Sequence, residues 1–384
     1  MRFRSVLFWM HLGCGVVAGA VILIMSVTGV LLTYQRQMTA WADMRHYRSD
    51  PPAGARPLPA DQLIAKVVEQ RPEVTPTSLV VRSDPRAPAS LAIGPGRQIF
   101  VSPYSGQVLG EGDGQAMREF FRGVVEWHRY VAMSGESRPT GKAITGAANL
   151  LFLFIVVSGV FLWWPRTLTR TGIRNVTWFR RGLKAKARDF NWHNTIGFWS
   201  AIPLAVIVAG AVVISYPWAT RLVYRVYGEV PPAPAASAGS RAADSAPRRI
   251  GSVELEQVIR TAAAHMAGWK TISVALPSGN ATRVVVTLDA GDGGQPHKRA
   301  TLTLNGRTGT VERWEPYAAQ TAGRRARTWL RFAHTGEVYG LAGQTIAGIV
   351  TAGAAVLVWT GLALALRRFI NWRNRSQSEY RKAA

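Results

Sequence analysis

The chain has 384 residues, with 46 Lys and Arg against 22 Asp and Glu, giving a formal net charge of +24, yet 48% of it is hydrophobic. Aromatic content of 10%, including 14 Trp, excludes a disordered chain, and a single cysteine excludes a disulfide framework, a thiolate zinc cluster and a CxxCH attachment site. A charge this high suggests a nucleic-acid binder only when the basic residues cover a surface of low hydrophobicity, and here the apolar residues gather in four blocks with the charge between them.

About 20 apolar residues cross a bilayer core as a helix. The first such block, residues 7–34, is too long for a signal-peptide core and has no small-residue cleavage site after it, so it reads as a retained anchor. Residues 35–115 form a polar module. Within it, residues 58–68 have helical spacing behind Pro59 and Asp61, short alternating runs at 78–81 and 90–93 read as strands, and 98–109 reads as a hairpin around a Gly turn. Residues 116–141 contain an amphipathic segment whose apolar face (Met117, Phe120, Phe121, Val124 and Val131) carries His128. A second span, 143–164, leads into a basic loop, 165–189, and a third span, 192–216.

Residues 217–320 hold a low-complexity linker, from Pro231 to Pro247, and a second module. A helix opens at Ser252, strands follow at 271–275, 283–288 and 300–304, and a turn at Asn305-Gly306 closes the pattern. Residues 321–337 carry His334, residues 338–366 form the fourth span, and 367–384 a basic tail. Residues 1–6, the middle loop and the tail together hold 16 basic and two acidic residues. By the positive-inside rule these three pieces lie in the cytoplasm, and the two modules lie outside. The expected fold is a four-helix transmembrane bundle with two small α+β modules. The loop's position between spans makes its charge a topology signal with some contact to membrane lipid, and nucleic acid is not an expected partner.

The chain is internally duplicated. Trp9-Met10-His11 precedes Gly29 by the same kind of interval that separates Trp192-His193 from Gly210, and Ser158-Gly159-Val160 near the end of span two matches Thr360-Gly361-Leu362 in span four. Four of the seven histidines occupy equivalent places in the repeat: His11 and His193 inside the cytoplasmic ends of spans one and three, His128 and His334 just before spans two and four. An imidazole at lipid depth needs a partner, and two at one depth from different helices suit axial ligation of a haem iron. The pairs are His11 with His193 and His128 with His334, giving two b-type haems stacked across the membrane. Gly13, Gly15, Gly19, Gly146, Gly197, Gly343 and Gly348 lie near these histidines, where a flat macrocycle needs close approach to backbone, although helix packing explains them as readily. Arg118, Arg122, Arg129, Arg324, Arg325, Arg327 and Arg331 are placed for haem propionates or substrate docking, or for a solvated face. His46 is an alternative outer ligand. His265 and His297 read as surface residues, and Cys14 as a small core residue.

No dinucleotide fingerprint, phosphate-binding loop, HExxH or nucleophile elbow occurs, so electrons would arrive from quinol or a separate cytoplasmic reductase. The combination of alternating spans and hairpin modules, His128 followed by Ser158-Gly159-Val160-Phe161-Leu162-Trp163-Trp164-Pro165-Arg166, and Ser102-Pro103-Tyr104-Ser105-Gly106-Gln107-Val108 resembles the PepSY-associated transmembrane helix family, and within it the ferrioxamine-type siderophore-iron reductases of the bacterial inner membrane. Span four departs from the pattern, because Leu364-Ala365-Leu366-Arg367-Arg368 stands in place of Trp-Trp-Pro-Arg. The resemblance implies PepSY-like periplasmic modules, two haem b groups on His11, His193, His128 and His334, and reduction of ferric siderophores with release of Fe(II). Competing readings from the residues are an electron-transfer protein for another periplasmic acceptor and a non-enzymatic regulator of an envelope protease. A cation permease is disfavoured by spans without acidic residues.

Overall fold

A computed structural model describes residues 3–94, 96–164, 169–232, 254–276 and 283–383, with side chains to residue 375. Arg2, Pro165-Arg166, linker residues 233–247, the Ser252 helix start and the side chains of Glu379, Arg381 and Lys382 lie outside the described residues. In chain order the elements are α1 (Phe3–Leu32), α2 (Gln35–Met44), α3 (Ala60–Gln70), β1 (Ser78–Arg82), β2 (Ala89–Gly94), β3 (Arg97–Val101), β4 (Val108–Gly110), α4 (Gln115–Tyr130), α5 (Arg138–Trp163), α6 (Arg170–Thr177), α7 (Ala185–Ser215), α8 (Pro217–Val226), α9 (Leu255–His265), β5 (Thr271–Ala275), β6 (Arg283–Asp289), β7 (Arg299–Asn305), β8 (Val311–Pro316), α10 (Ala322–His334) and α11 (Gly340–Ala383). They fall into two units, one of residues 1–34, 121–223 and 329–384 and one of residues 35–120 and 224–328.

The first unit is a bundle of the four helices long and apolar enough to cross a membrane, α1, α5, α7 and α11. In hydrocarbon every backbone N–H and C=O must be satisfied within the segment, which is why these apolar stretches are continuous helices. The helix α1 packs on α5 and α11, and α7 packs on the same two, so α1 and α7 stand diagonally across the bundle. Ala18 and Ala148 mediate the approach of α1 and α5, and with Ile22 they form one buried cluster with Phe152 and Ile155 around it. The last helix runs on to Ala383, so the tail expected to begin at residue 367 continues α11.

The second unit is one antiparallel sheet of eight strands, ordered β4-β3-β2-β1-β5-β6-β7-β8. The two expected modules are its halves. Their first strands pair edge to edge, Ser78 opposite Ala275, Val80 opposite Ser273 and Arg82 opposite Thr271, which removes the exposed edge each half would otherwise carry. Alternation in β7 puts Ala300, Leu302 and Leu304 on the buried face, where α3 (Leu63, Val67) and α9 (Leu255, Val258, Ala262) complete one core. These helices cap each other: the Ala60 N–H donates to the Glu256 carboxylate, and the Glu256 N–H to Asp61.

Candidate functional site

The four repeat-related histidines all lie in the bundle unit, and each ring meets its neighbour in the same way. His11 Nδ1 is 2.9 Å from Ser158 Oγ, His193 Nδ1 is 3.0 Å from Thr360 Oγ1, and His128 Nδ1 is 3.0 Å from Thr28 Oγ1. Each hydroxyl has one proton and spends it on its own helix: Ser158 donates to Ile155 O, Thr360 to Val356 O and Thr28 to Ile24 O. With the hydroxyl proton on its own helix carbonyl, the oxygen accepts from the imidazole, which assigns the hydrogen to Nδ1. His334 Nδ1 reaches the same result through a carbonyl, Ile207 O at 2.8 Å, which can only accept. All four imidazoles are thereby fixed with Nε2 as the bare lone pair, the arrangement that metal-ligating histidines adopt.

A glycine accompanies every anchor. A Cβ on Gly159 would touch His11 Cε1, one on Gly361 His193 Cε1, one on Gly29 His128 Cε1, and one on Gly210 both Leu330 O and the Cβ of His334. Three anchors are thus a hydroxyl residue followed by glycine: Ser158-Gly159, Thr360-Gly361 and Thr28-Gly29. In the fourth, Ala209 stands before Gly210, and the carbonyl two residues earlier replaces the missing hydroxyl. Sequence reading had Ser158-Gly159, Thr360-Gly361, Gly29 and Gly210 as marks of the repeat, and it did not single out Thr28. That they receive the histidines follows only from the order of the helices in the bundle.

His11 and His193 stand on the diagonal helices α1 and α7, each received by one of the two helices between them, α5 for His11 and α11 for His193. His128 and His334, at the ends of α4 and α10, have ring centroids 6.3 Å apart with planes tilted by 48°. A metal bonded to two imidazole nitrogens at about 2 Å each separates the ring centroids by about 6 Å. On α1, Gly29 follows His11 by eighteen residues, about 27 Å of helix, which sets the spacing between the two ends. Burial holds His128 down to about 4, with the His334 charge adding to the effect, and burial lowers His334 too. Both are therefore neutral at neutral pH, the form that binds a metal.

Among the described residues no three His, Cys, Asp or Glu side chains gather as a metal cluster. Each pair offers two ligands, so a metal held there must bring its remaining ligands with it, as the iron of a haem does. Beside His11 and His193 the backbone is not closed in by a neighbouring helix. Gly15, one turn from His11, would have nothing within 4 Å of a Cβ, and Gly197, one turn from His193, only Leu357. Of the other expected cradle glycines, Gly13 faces open space, while Gly19 packs on Leu362, Gly146 on Tyr216, Gly343 on Gly336 and Gly348 on Thr33. Those four serve helix packing.

The arginines divide. Arg118 is ion-paired with the buried Asp43 and Arg324 with Glu315, 2.6 Å away, so a carboxylate of their own unit already holds each of them. Arg325 lies by Glu229 and Tyr317. Arg122, Arg129, Arg327 and Arg331 are exposed without an acidic partner among the described residues, and Arg129 and Arg331 act electrostatically on His128 and His334. His46 is bound to Asp113 at 2.6 Å in the sheet unit, and His128 and His334 face each other without it. His265 caps its own helix against Trp314 and His297 is exposed.

Residues 8–368 match the family model of the PepSY-associated TM region, and the chain belongs to that family. Comparison with curated proteins finds no match.

Proposed function

We propose that this member of the PepSY-associated family binds two b-type haems, one between His11 and His193 and one between His128 and His334, and carries electrons across the bacterial inner membrane to a ferric siderophore in the periplasm. The observation that carries the reading is the set of four imidazoles, each with Nδ1–H tied to a neighbouring helix and Nε2 bare, in two pairs at opposite ends of one bundle. Bound haem would supply reversible one-electron chemistry at each pair. The chain's own part is to orient the imidazoles, keep them neutral and keep water away.

The basic loop and tail assign the termini to the cytoplasm by the positive-inside rule. Electrons then enter from quinol or a cytoplasmic reductase at the His11 and His193 end. At the other end a ferric chelate takes up one electron, and the resulting Fe(II), held far less tightly by the siderophore, dissociates. Outer-sphere transfer of this kind needs no acid–base pair. Exposed Arg122, Arg129, Arg327 and Arg331 are free to meet propionates or an anionic chelate.

Purified protein is expected to be red, with dithionite-reducible b-type bands and two haems per chain, and His193→Ala should retain one. A colourless protein, or a His193→Ala difference spectrum identical to the parent, overturns the haem assignment. Chelator-trapped Fe(II) from a defined ferric siderophore, lost in His334→Ala, tests the acceptor.

A further inference from the structure

A cavity of about 620 Å³ opens in the groove between α7 and α11, beside the segment that joins α6 to α7. Its apolar floor is Trp192, Ile196 and Val356, and its far wall is Phe179 and Leu183. Three guanidinium groups, Arg180, Arg181 and Arg188, stand at its rim. The wall is fixed in place: buried Asn191 on α7 takes the Arg180 N–H and donates to the carbonyls of Asn175 and Trp178, while Trp199 donates to Thr177 O. Among the described residues the acid nearby is buried Asp189, held by Arg188 and by Arg367, 2.7 Å away, which leaves Arg180 and Arg181 as the rim cations without an acidic partner.

We propose that this cavity is a binding site for an anionic phospholipid of the surrounding bilayer, its phosphate on Arg180 and Arg181 and an acyl chain along Ile196 and Val356. An apolar groove between two spans with cations at its mouth matches an amphiphile with an anionic head, and guanidinium groups meet phosphate in paired hydrogen bonds. A hydroquinone fits less well. Its oxidation releases two protons along with two electrons, and no carboxylate or imidazole lines the cavity to take them. The site does not depend on the haem reading, because none of its residues is one of the four histidines or their anchors.

The test is lipid retention by the full chain, followed by native mass spectrometry with phosphatidylglycerol and phosphatidylcholine added back to delipidated protein. The parent should hold one phosphatidylglycerol in preference to phosphatidylcholine. Arg180→Gln with Arg181→Gln should weaken that binding by roughly 30-fold, at about fivefold per cation, and Arg170→Gln with Arg174→Gln on exposed α6 should leave it unchanged. Ile196→Trp, which fills the floor without altering charge, should also weaken it. Equal losses from both arginine pairs would mean diffuse attraction and overturn the site, as would no loss from Arg180→Gln with Arg181→Gln. Displacement of the lipid by ubiquinone, unaffected by the arginine changes, would overturn it in favour of a neutral redox ligand.

Discussion

The two ends of the bundle hold their histidines differently. At the His11 and His193 end the imidazoles belong to the spans, and each ring is received by a hydroxyl and a glycine of another span. At the His128 and His334 end the spans only receive, and the imidazoles arrive on α4 and α10, helices that begin in the sheet unit's part of the chain. The first site is therefore complete once four apolar helices have packed. The second also requires two amphipathic helices to dock, and it is less symmetric, with a hydroxyl on Thr28 for one ring and a backbone carbonyl for the other. At Gly210 the approach is backbone to backbone, with Leu330 O, whereas Gly29 meets only the side chains of Thr351 and His128.

The largest effects should come from the glycines that receive the rings. A Cβ at Gly210 would collide with Leu330 O, a backbone atom that α10 cannot move without leaving α7, whereas one at Gly361 would meet only the edge of the His193 ring. Gly210→Val should cost about 3 kcal/mol and empty the proposed His128–His334 site, while Gly361→Val should cost about 1 kcal/mol, with haem content and thermal midpoint as the measurements. Equal costs would show that α10 is no more tightly docked than a side chain. Next come the hydroxyls. Thr28→Val and Thr360→Val each remove the acceptor that fixes an imidazole tautomer, and each should weaken cofactor retention about tenfold at its own end. Ala209→Val should leave His334 alone, because a carbonyl anchor needs no particular side chain. Haem-loss rates measured by transfer to apomyoglobin separate the three.

Much of this was legible in the sequence, for physical reasons. Spans α1, α5, α7 and α11 show in composition because lipid admits little else over 20 residues, and β1 and β5 show in their alternation because one sheet face is buried. The histidines stood out because an ionisable group inside an apolar stretch is costly without a use. The fusion of the two modules into one sheet was not legible, since β1 and β5 are joined by backbone hydrogen bonds that any side chains permit. The Ile207 carbonyl was hidden for the same reason. Arg118 and Arg324 read as free because Asp43 and Glu315 come to them only through tertiary packing. The strand β8 went unread, its run Val311-Glu312-Arg313-Trp314-Glu315-Pro316 being too polar to alternate clearly.

The smallest expected effect concerns how the chain leaves His128 and His334. After α10 the turn uses Gly336, at φ 74°, a conformation glycine adopts without penalty and where a Cβ would also strike Gly343 O. After α4 the corresponding turn forces Val131 and Ala132 to φ 51° and 58°, which costs L-residues about 1–2 kcal/mol each. The turn offsets part of this by closing the helix end: Val131 N–H donates to Trp127 O, continuing the helical ladder, and Ala132 N–H reaches back six residues to Glu126 O. Glycine keeps both bonds and removes the steric cost, so Ala132→Gly should raise stability by about 1 kcal/mol, read as a higher thermal midpoint in detergent with an unchanged haem spectrum. Gly336→Ala should lower the midpoint. If Ala132→Gly lowers it too, the alanine methyl contributes packing at the His128 end that outweighs its backbone strain, and the two turns differ in what they hold rather than in how easily they form.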